Sequence, residues 1–315
     1  MNRKRKVYIY LTGGLGNQLF QLSAAMKFRE GFSCEIILDT ALGAPRTTEG
    51  YADISHLVLP KNVLISNKKS NFVVRKALGF LLRMGLNPRG LQQINIVKKL
   101  YKLMGGILLS LRHKSCILII VANNVGFVNL DIAKGSYLVG YFQSYRFLES
   151  MEVKNALQVI RPKLVNEKLA LLIDKATLEK PIFVHFRFQD YLTEATFGVP
   201  SRDYYLKSLL TFNPESRSIW VFSDNMSMAK AYAPKEFKTQ YYFVDDRDLS
   251  PAQLLHLFRF GADYVIANST FSWWGATLAF NKQRLVVAPT PWFKDMKEPL
   301  DLIPPHWIRE KAYFD

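Results

Sequence analysis

Residues 8–28 read YIYLTGGLGNQLFQLSAAMKF, and the fold turns on how this stretch is read. An apolar, β-favouring run ends in Gly13-Gly14-Leu15-Gly16. Asn17-Gln18 follow, then apolar residues at helical spacing: Leu19, Phe20, Leu22, Ala24, Ala25 and Met26. The order is strand, glycine turn, helix. Backbone N–H groups at a helix start attract anions, and glycines let an oxygen-rich ligand come close. Two familiar phosphate loops do not fit. Counting from Gly14, Leu19 stands where a dinucleotide fingerprint needs its third glycine, and no Gly-Lys-Ser/Thr follows.

The same alternation continues outward. Short apolar runs at 34–38, 137–140, 181–186, 218–222, 240–244, 264–267 and 285–288 read as strands, the last as the final strand. Helical spacing follows at 147–159, at 201–210 with Ser201 as N-cap, at 251–260 and from 274. Residues 163–179 read as a helical connector, and 61–115 as basic helices broken by glycines. Strands alternating with helices on both sides of the connector predict an α/β protein. The expected architecture is two Rossmann-like domains with parallel sheets facing a central cleft. Their expected bounds are 1–162, with a basic helical insertion at about 57–130, and 163–315.

A length of 315 residues leaves room for two cores, and 49% hydrophobic residues mark a globular chain. The net charge of +16 is unevenly placed: between Asp53 and Asp131 lie 12 Lys/Arg and no acid. Within that segment, Phe72, Phe80, Leu81 and Met84 accompany Arg75, Lys76 and Arg83, as in a basic amphipathic helix. Such a helix docks on an anionic membrane surface or is a solvated basic face over an ordinary core. No zinc-finger or aromatic RNA-binding signature supports nucleic acid as a partner. The two cysteines, Cys34 and Cys116, form neither a disulfide framework nor a zinc spacing, so a reduced, cytoplasmic setting is expected. The basic start of the chain leads into no signal-peptide core, and the longest apolar run, Leu103 to Val121, is broken by Arg112-His113-Lys114.

In open parallel sheets, ligands bind beyond the carboxyl ends of the strands. The residues there are Gly13 to Gln18, His185 to Asp190, Ser223-Asp224-Asn225, Asp245 to Asp248, and Asn268 to Trp274. In VHFRFQDY (184–191), Arg187 can hold a phosphate by two parallel hydrogen bonds, and Asp190 can orient His185 or take a proton. The competing reading is an Arg187–Asp190 ion pair beside a core histidine. In IANSTFSWWGA (266–276), Asn268, Ser269, Thr270 and Ser272 crowd a strand end and helix start, with Phe271 between them. Trp273 and Trp274 are either core or a platform for a sugar or base.

Taken together, these stretches resemble the alpha-1,2-fucosyltransferases. The matching segments are GGLGNQLFQ (13–21), GYFQSYRFL (140–148), HFRFQDY (185–191), SRDYYLKSL (201–209), VFSDN (221–225), IANSTFSWWGA (266–276), PTPWF (289–293) and IPPHWI (303–308). They follow the family order and span nearly the whole chain. The resemblance implies an inverting, metal-independent GT-B enzyme that needs no cofactor. It would move L-fucose from GDP-L-fucose to a hydroxyl, expected to be O2 of galactose, on a surface or lipid-linked glycan. It implies that Arg187 holds the GDP phosphates and His185 lies beside the nucleotide. Ser269, Thr270 and Ser272 would receive phosphate or ribose oxygens, while Gly14, Gly16 and Asn17, with Gln18, face fucose and pyrophosphate. Ser223, Asp224, Asn268 and Phe271 complete the expected binding set. The resemblance lapses at Phe188, where the family usually has a second arginine, and at Leu254-Leu255, where an acid is common.

For the transfer, Arg187 and the hydroxyl nest would stabilise the departing diphosphate, with Asp190 as first and Glu194 as second candidate base. Two alternatives stand beside this reading. One is a metal-dependent GT-A transferase using Asp246 and Asp248. The other is a non-catalytic basic protein that binds membranes or polyanions through 57–130, peripheral to the inner membrane face.

Overall fold

The computed structural model describes residues 5–30, 34–40, 53–66, 76–77, 80, 103–108, 117–120, 125–129, 136–193, 196–244 and 247–314. The chain divides into two compact units. One comprises Met1–Ile160 with Pro299–Leu302, the other Arg161–Glu298 with Ile303–Asp315.

In the first unit, β1 (Arg5–Tyr10) is the middle of a parallel sheet. It pairs with β2 (Cys34–Asp39) on one side, Val7 opposite Ile36. Beyond β2 lies β3 (Val63–Ser66). On the other side of β1 lies β5 (Ser136–Val139), with β4 (Ile117–Ile120) outside it. The sheet order is therefore β3-β2-β1-β5-β4. The first helix, α1 (Leu15–Arg29), leaves the end of β1 through the glycine turn. Its buried residues lie on almost every side, as expected of a helix that is apolar nearly all round. Lys27 and Arg29 in its last turn complement the negative helix end.

In the second unit, six parallel strands run β8 (Tyr241–Phe243), β7 (Ile219–Ser223), β6 (Ile182–Phe186), β9 (Asp263–Val265), β10 (Val286–Thr290) and β11 (Ile308–Lys311). The strand order reverses between β6 and β9. That reversal is the topological switch point, where doubly wound sheets open a crevice beyond the strand ends. The helices around this sheet are α3 (Glu167–Glu179), α4 (Arg202–Leu210), α5 (Met226–Tyr232), α6 (Pro251–Leu257) and α7 (Thr270–Thr277). The preceding helix, α2 (Met151–Gln158), belongs to the first unit. Trp220, Trp273 and Trp274 are fully buried in this core, so the tryptophan pair is packing and not a sugar platform.

Three sequence expectations are corrected here. Val63–Ser66 lies inside the segment read as basic helices, yet it is a strand paired with β2. Its β-branched Val63 and Ile65 suit a pleated surface better than the surrounding lysines suggest. Ile117–Ile120, read only as the tail of an apolar run, is also a strand. At the other end, β11 follows the strand read as final. Its side chains alternate half-buried and exposed, the pattern of a charged edge strand that sheds further pairing. Most of the basic amphipathic stretch 72–84 lies outside the described residues. Among those described, no helix is long and apolar enough to cross a membrane.

Candidate active site

At the switch point, two adjacent strands deliver the candidate residues. β6 and β9 run parallel with Val184 opposite Val265, so the segments beginning at Arg187 and Asn268 leave the sheet side by side. Helix α4 fixes both ends. The Tyr204 hydroxyl donates to the Ile266 carbonyl at 2.7 Å, and the Tyr205 hydroxyl donates to the His185 carbonyl at 3.2 Å. Both tyrosines are fully buried, and burial raises both phenol pKa values, so they stay protonated donors. This is the role of SRDYYLKSL: a clamp across the switch point, which composition and spacing alone did not reveal.

The two strand-end segments are also tied to each other. Tyr191 donates its hydroxyl to the Asn268 carbonyl at 3.0 Å. The Asn268 amide donates to the carbonyls of Phe197 and Gly198 at 3.0 and 3.2 Å. Asn268 is itself buried, so it braces the loop at 197–198. Gly198 has φ +64°, and a Cβ there would lie 2.8 Å from Phe314, which is why glycine stands at that position.

His185 Nδ1 lies 3.1 Å from Ser272 Oγ, with both side chains buried. The Ser272 hydroxyl donates onward to the Ser269 carbonyl at 3.2 Å. Burial, helped by the nearby Arg187 charge, pushes the imidazole down to about 3. A neutral, enclosed ring is no proton shuttle near neutral pH, and Asp190 does not orient it. The expected catalytic histidine and the expected ligand hydroxyl of Ser272 thus brace each other here. By contrast, Thr270 and Phe271 are half-buried, while Ser269 is the N-cap of α7 without a side-chain capping bond. The first turn of α7 carries no acid, so no carboxylate of that turn offsets the positive end of the helix.

Arg187 sits at the head of this arrangement with its side chain 31% exposed. Its Nε and Nη2 lie 3.1 and 2.6 Å from Asp190 Oδ1. Nε also lies 3.2 Å from Asp224 Oδ2. Asp224 in turn accepts from the Phe188 N–H at 2.9 Å. Burial, offset by Arg187 and the Phe188 N–H, holds the Asp224 carboxyl above its ordinary value. Arg187 itself is raised: burial opposes its charge, and Asp224 and Asp190 outweigh that. So the ion-pair reading of Arg187 and Asp190 is present in the structure, extended by a second carboxylate. Phe188 is buried and stacks on Phe186, so the position usually held by a second arginine is core here. Ser223 is taken up locally, accepting from the Asn225 N–H at 3.1 Å.

The glycine turn of the first unit is braced by amides. Gln18 is fully buried, its Nε2 donating to the Gly13 carbonyl at 2.8 Å and its Oε1 accepting from the Ile54 N–H at 2.9 Å. Gln21 accepts from the Thr12 N–H and donates to the Gly140 carbonyl, both at 3.1 Å. Gln143 donates to Asn17 Oδ1 at 2.9 Å. Gln18 thus holds the turn from within, and Gly16 beside it is buried. Gly13 is a position that demands glycine: its φ is +73°, and a Cβ would lie 2.4 Å from Asn17 Nδ2. A Cβ at Gly14 meets nothing within 4 Å. The N–H of Leu15 is hydrogen-bonded to Asp53, whose carboxyl is raised by burial against the lowering effects of His56 and that N–H. A protein carboxylate therefore takes one backbone N–H of this turn. The sequence reading missed Asp53 because nothing local marks it.

Of the metal alternative, Asp245 and Asp246 lie outside the described residues, as does Glu194. Asp248 is exposed and pairs with Lys168 at 3.1 Å.

In the second of two doubly wound units, Arg187 and the start of α7 follow the neighbouring strands β6 and β9 at the switch point. Residues 114–311 match Glycosyl transferase family 11, and the chain belongs to that family. It is 25% identical over 313 residues to an alpha-1,2-colitosyltransferase of Escherichia coli, covering 95% of this chain and 97% of that protein. It is also 25% identical to the Escherichia coli O-antigen biosynthesis glycosyltransferase WbnK, over 91% and 95% of the two chains. Among solved structures, the E. coli ADP-heptose LPS heptosyltransferase II aligns with a TM-score of 0.50 and 10% identity, over 97% of this chain and 89% of that one. The fold is of the GT-B type.

Proposed function

We propose that this glycosyltransferase moves L-fucose from GDP-L-fucose, with inversion, to a hydroxyl of a surface or lipid-linked glycan, O2 of galactose being the first candidate. The observation that supports it most is the switch point of the second unit, where Arg187 and the start of α7 stand on neighbouring strands. A diphosphate there would take a guanidinium on one side and backbone N–H groups on the other. Charge developing on the leaving group would be met by fixed donors, with no cation required. Thr270 and Ser269 would contact donor oxygens, and Asp190 would receive the acceptor proton. The sequence of an O-antigen glycosyltransferase relative supports a role in surface-polysaccharide assembly.

A second donor reading, GDP-colitose, is favoured by the colitosyltransferase relative. A thermal-shift panel of GDP, UDP, ADP and CMP tests the nucleotide, since a ligand that binds only the folded state raises the melting temperature. Stabilisation by GDP alone is the expected result. Transfer assays with both sugar donors then separate fucose from colitose.

A further inference from the structure

The Arg187 edge that would receive a phosphate is already occupied. Nε and Nη2 form the fork a phosphate oxygen would use, and both point at Asp190 Oδ1. The two carboxylates on this guanidinium are not equivalent. The Asp224 side chain is 12% exposed, and its second oxygen is fixed by the Phe188 N–H. The Asp190 side chain is 53% exposed, and Arg187 is its one partner among the described residues. One cation between two anions leaves this cluster net negative, which opposes a diphosphate as long as both acids stay.

We propose that Asp190 is a displaceable stand-in for the donor diphosphate, while Asp224 is the fixed positioning residue that holds Arg187 in place. Resting on the functional reading above, donor binding exchanges one anion for another on the same fork. Asp190 swings off, Asp224 stays, and the local charge is relieved by moving an exposed acid into solvent. The exchange also frees the Asp190 carboxylate only when donor is present. In the transfer, the acceptor oxygen forms the new bond to the sugar C1. The bond from C1 to the diphosphate oxygen breaks, its electron pair leaving on GDP, and the hydroxyl proton passes to the released Asp190. Base and donor are thereby coupled: an acceptor arriving first would find the base engaged by Arg187.

The test is calorimetric titration of GDP into the wild-type protein, Asp190→Asn, Asp224→Asn and Arg187→Ala, each checked for a cooperative thermal transition. Both Asp→Asn changes preserve shape, and in Asp224→Asn the side-chain amide oxygen can still accept from the Phe188 N–H. Asp190→Asn is expected to bind GDP roughly two- to fivefold more tightly, the scale of an exposed ion pair. It would at the same time lower kcat at saturating donor. Asp224→Asn is expected to bind GDP about tenfold more weakly, as when one partner of an enclosed charge pair is removed. Unchanged or weaker binding by Asp190→Asn overturns the exchange. So does Arg187→Ala that binds GDP like wild type, a result that keeps a GDP-dependent transferase but moves its diphosphate away from Arg187. A wild-type protein that binds none of the nucleoside diphosphates refutes the functional reading, and the exchange falls with it.

Discussion

His185 Nδ1 and Ser272 Oγ, 3.1 Å apart and both buried, link the strand β6 to the first turn of α7. They lie on the two segments that flank the switch point. The pair is hydrogen-bonded onward to the Ser269 carbonyl, so the imidazole is tied to the helix start. An enclosed neutral ring has a consequence for stability as a function of pH. Above the ordinary value of 6.5, folded and unfolded chains both carry a neutral ring. Below it the unfolded chain takes up a proton that the folded chain refuses until about 3. Stability therefore falls as pH drops through that window, by at most about 1.4 kcal/mol per pH unit from this group. Denaturant titrations across the window should show His185→Asn flattening the decline. His256, held at about 4 by burial and by Arg259, keeps its own share.

Arginine at 187 is expected to be required for its fork as well as its charge. Arg187→Lys keeps the cation and loses the two parallel bonds. Loss of a donor aimed at a developing anion costs roughly 100- to 1000-fold in kcat. Rates at saturating donor check this. A lysine variant with near wild-type kcat would show that a point charge is enough.

The two adjacent glycines of the turn should behave differently. Gly13→Ala places a side chain at φ +73° and drives Asn17 away from Gln143, so a loss of about 1–3 kcal/mol in stability is expected. Gly14→Ala meets open space and should fold like wild type. If Gly14→Ala nonetheless loses transfer, a ligand passes over that turn; full activity would place the ligand elsewhere.

Gln18→Leu should be damaging for structural reasons alone. It strands the Gly13 carbonyl and the Ile54 N–H in a buried site, at about 1–3 kcal/mol for each. Its folded fraction should bind GDP with wild-type affinity. A melting curve paired with a titration separates the two effects.

Chelation offers a further check. With Arg187 and the start of α7 meeting the leaving-group charge, transfer should continue in excess EDTA. Loss of activity restored by Mn2+ would instead return attention to Asp246 and Asp248.

Local pattern was enough to read the two doubly wound units, because alternating apolar runs and a glycine turn are properties of neighbouring residues. It failed at Val63–Ser66 and Ile308–Lys311, where short strands hide among charges and pairing partners supply the stability. In the candidate site, the segments named from sequence do leave adjacent strand ends, and several of their side chains have partners within the protein. His185, Ser272, Asn268 and Gln18 are polar residues at strand ends, indistinguishable in type from ligand contacts, and each makes hydrogen bonds within the scaffold. A residue's type states which hydrogen bonds it can make; its partner lies far along the chain, 77 residues away for Tyr191 and Asn268, 126 for Asn17 and Gln143. The amino-acid order thus determined the family and the strand-end segments at which the candidate site was sought. Tertiary structure alone decided which of those groups are enclosed and which, like Arg187 and Asp190, keep an edge toward solvent, because burial depends on distant segments packed over each side chain.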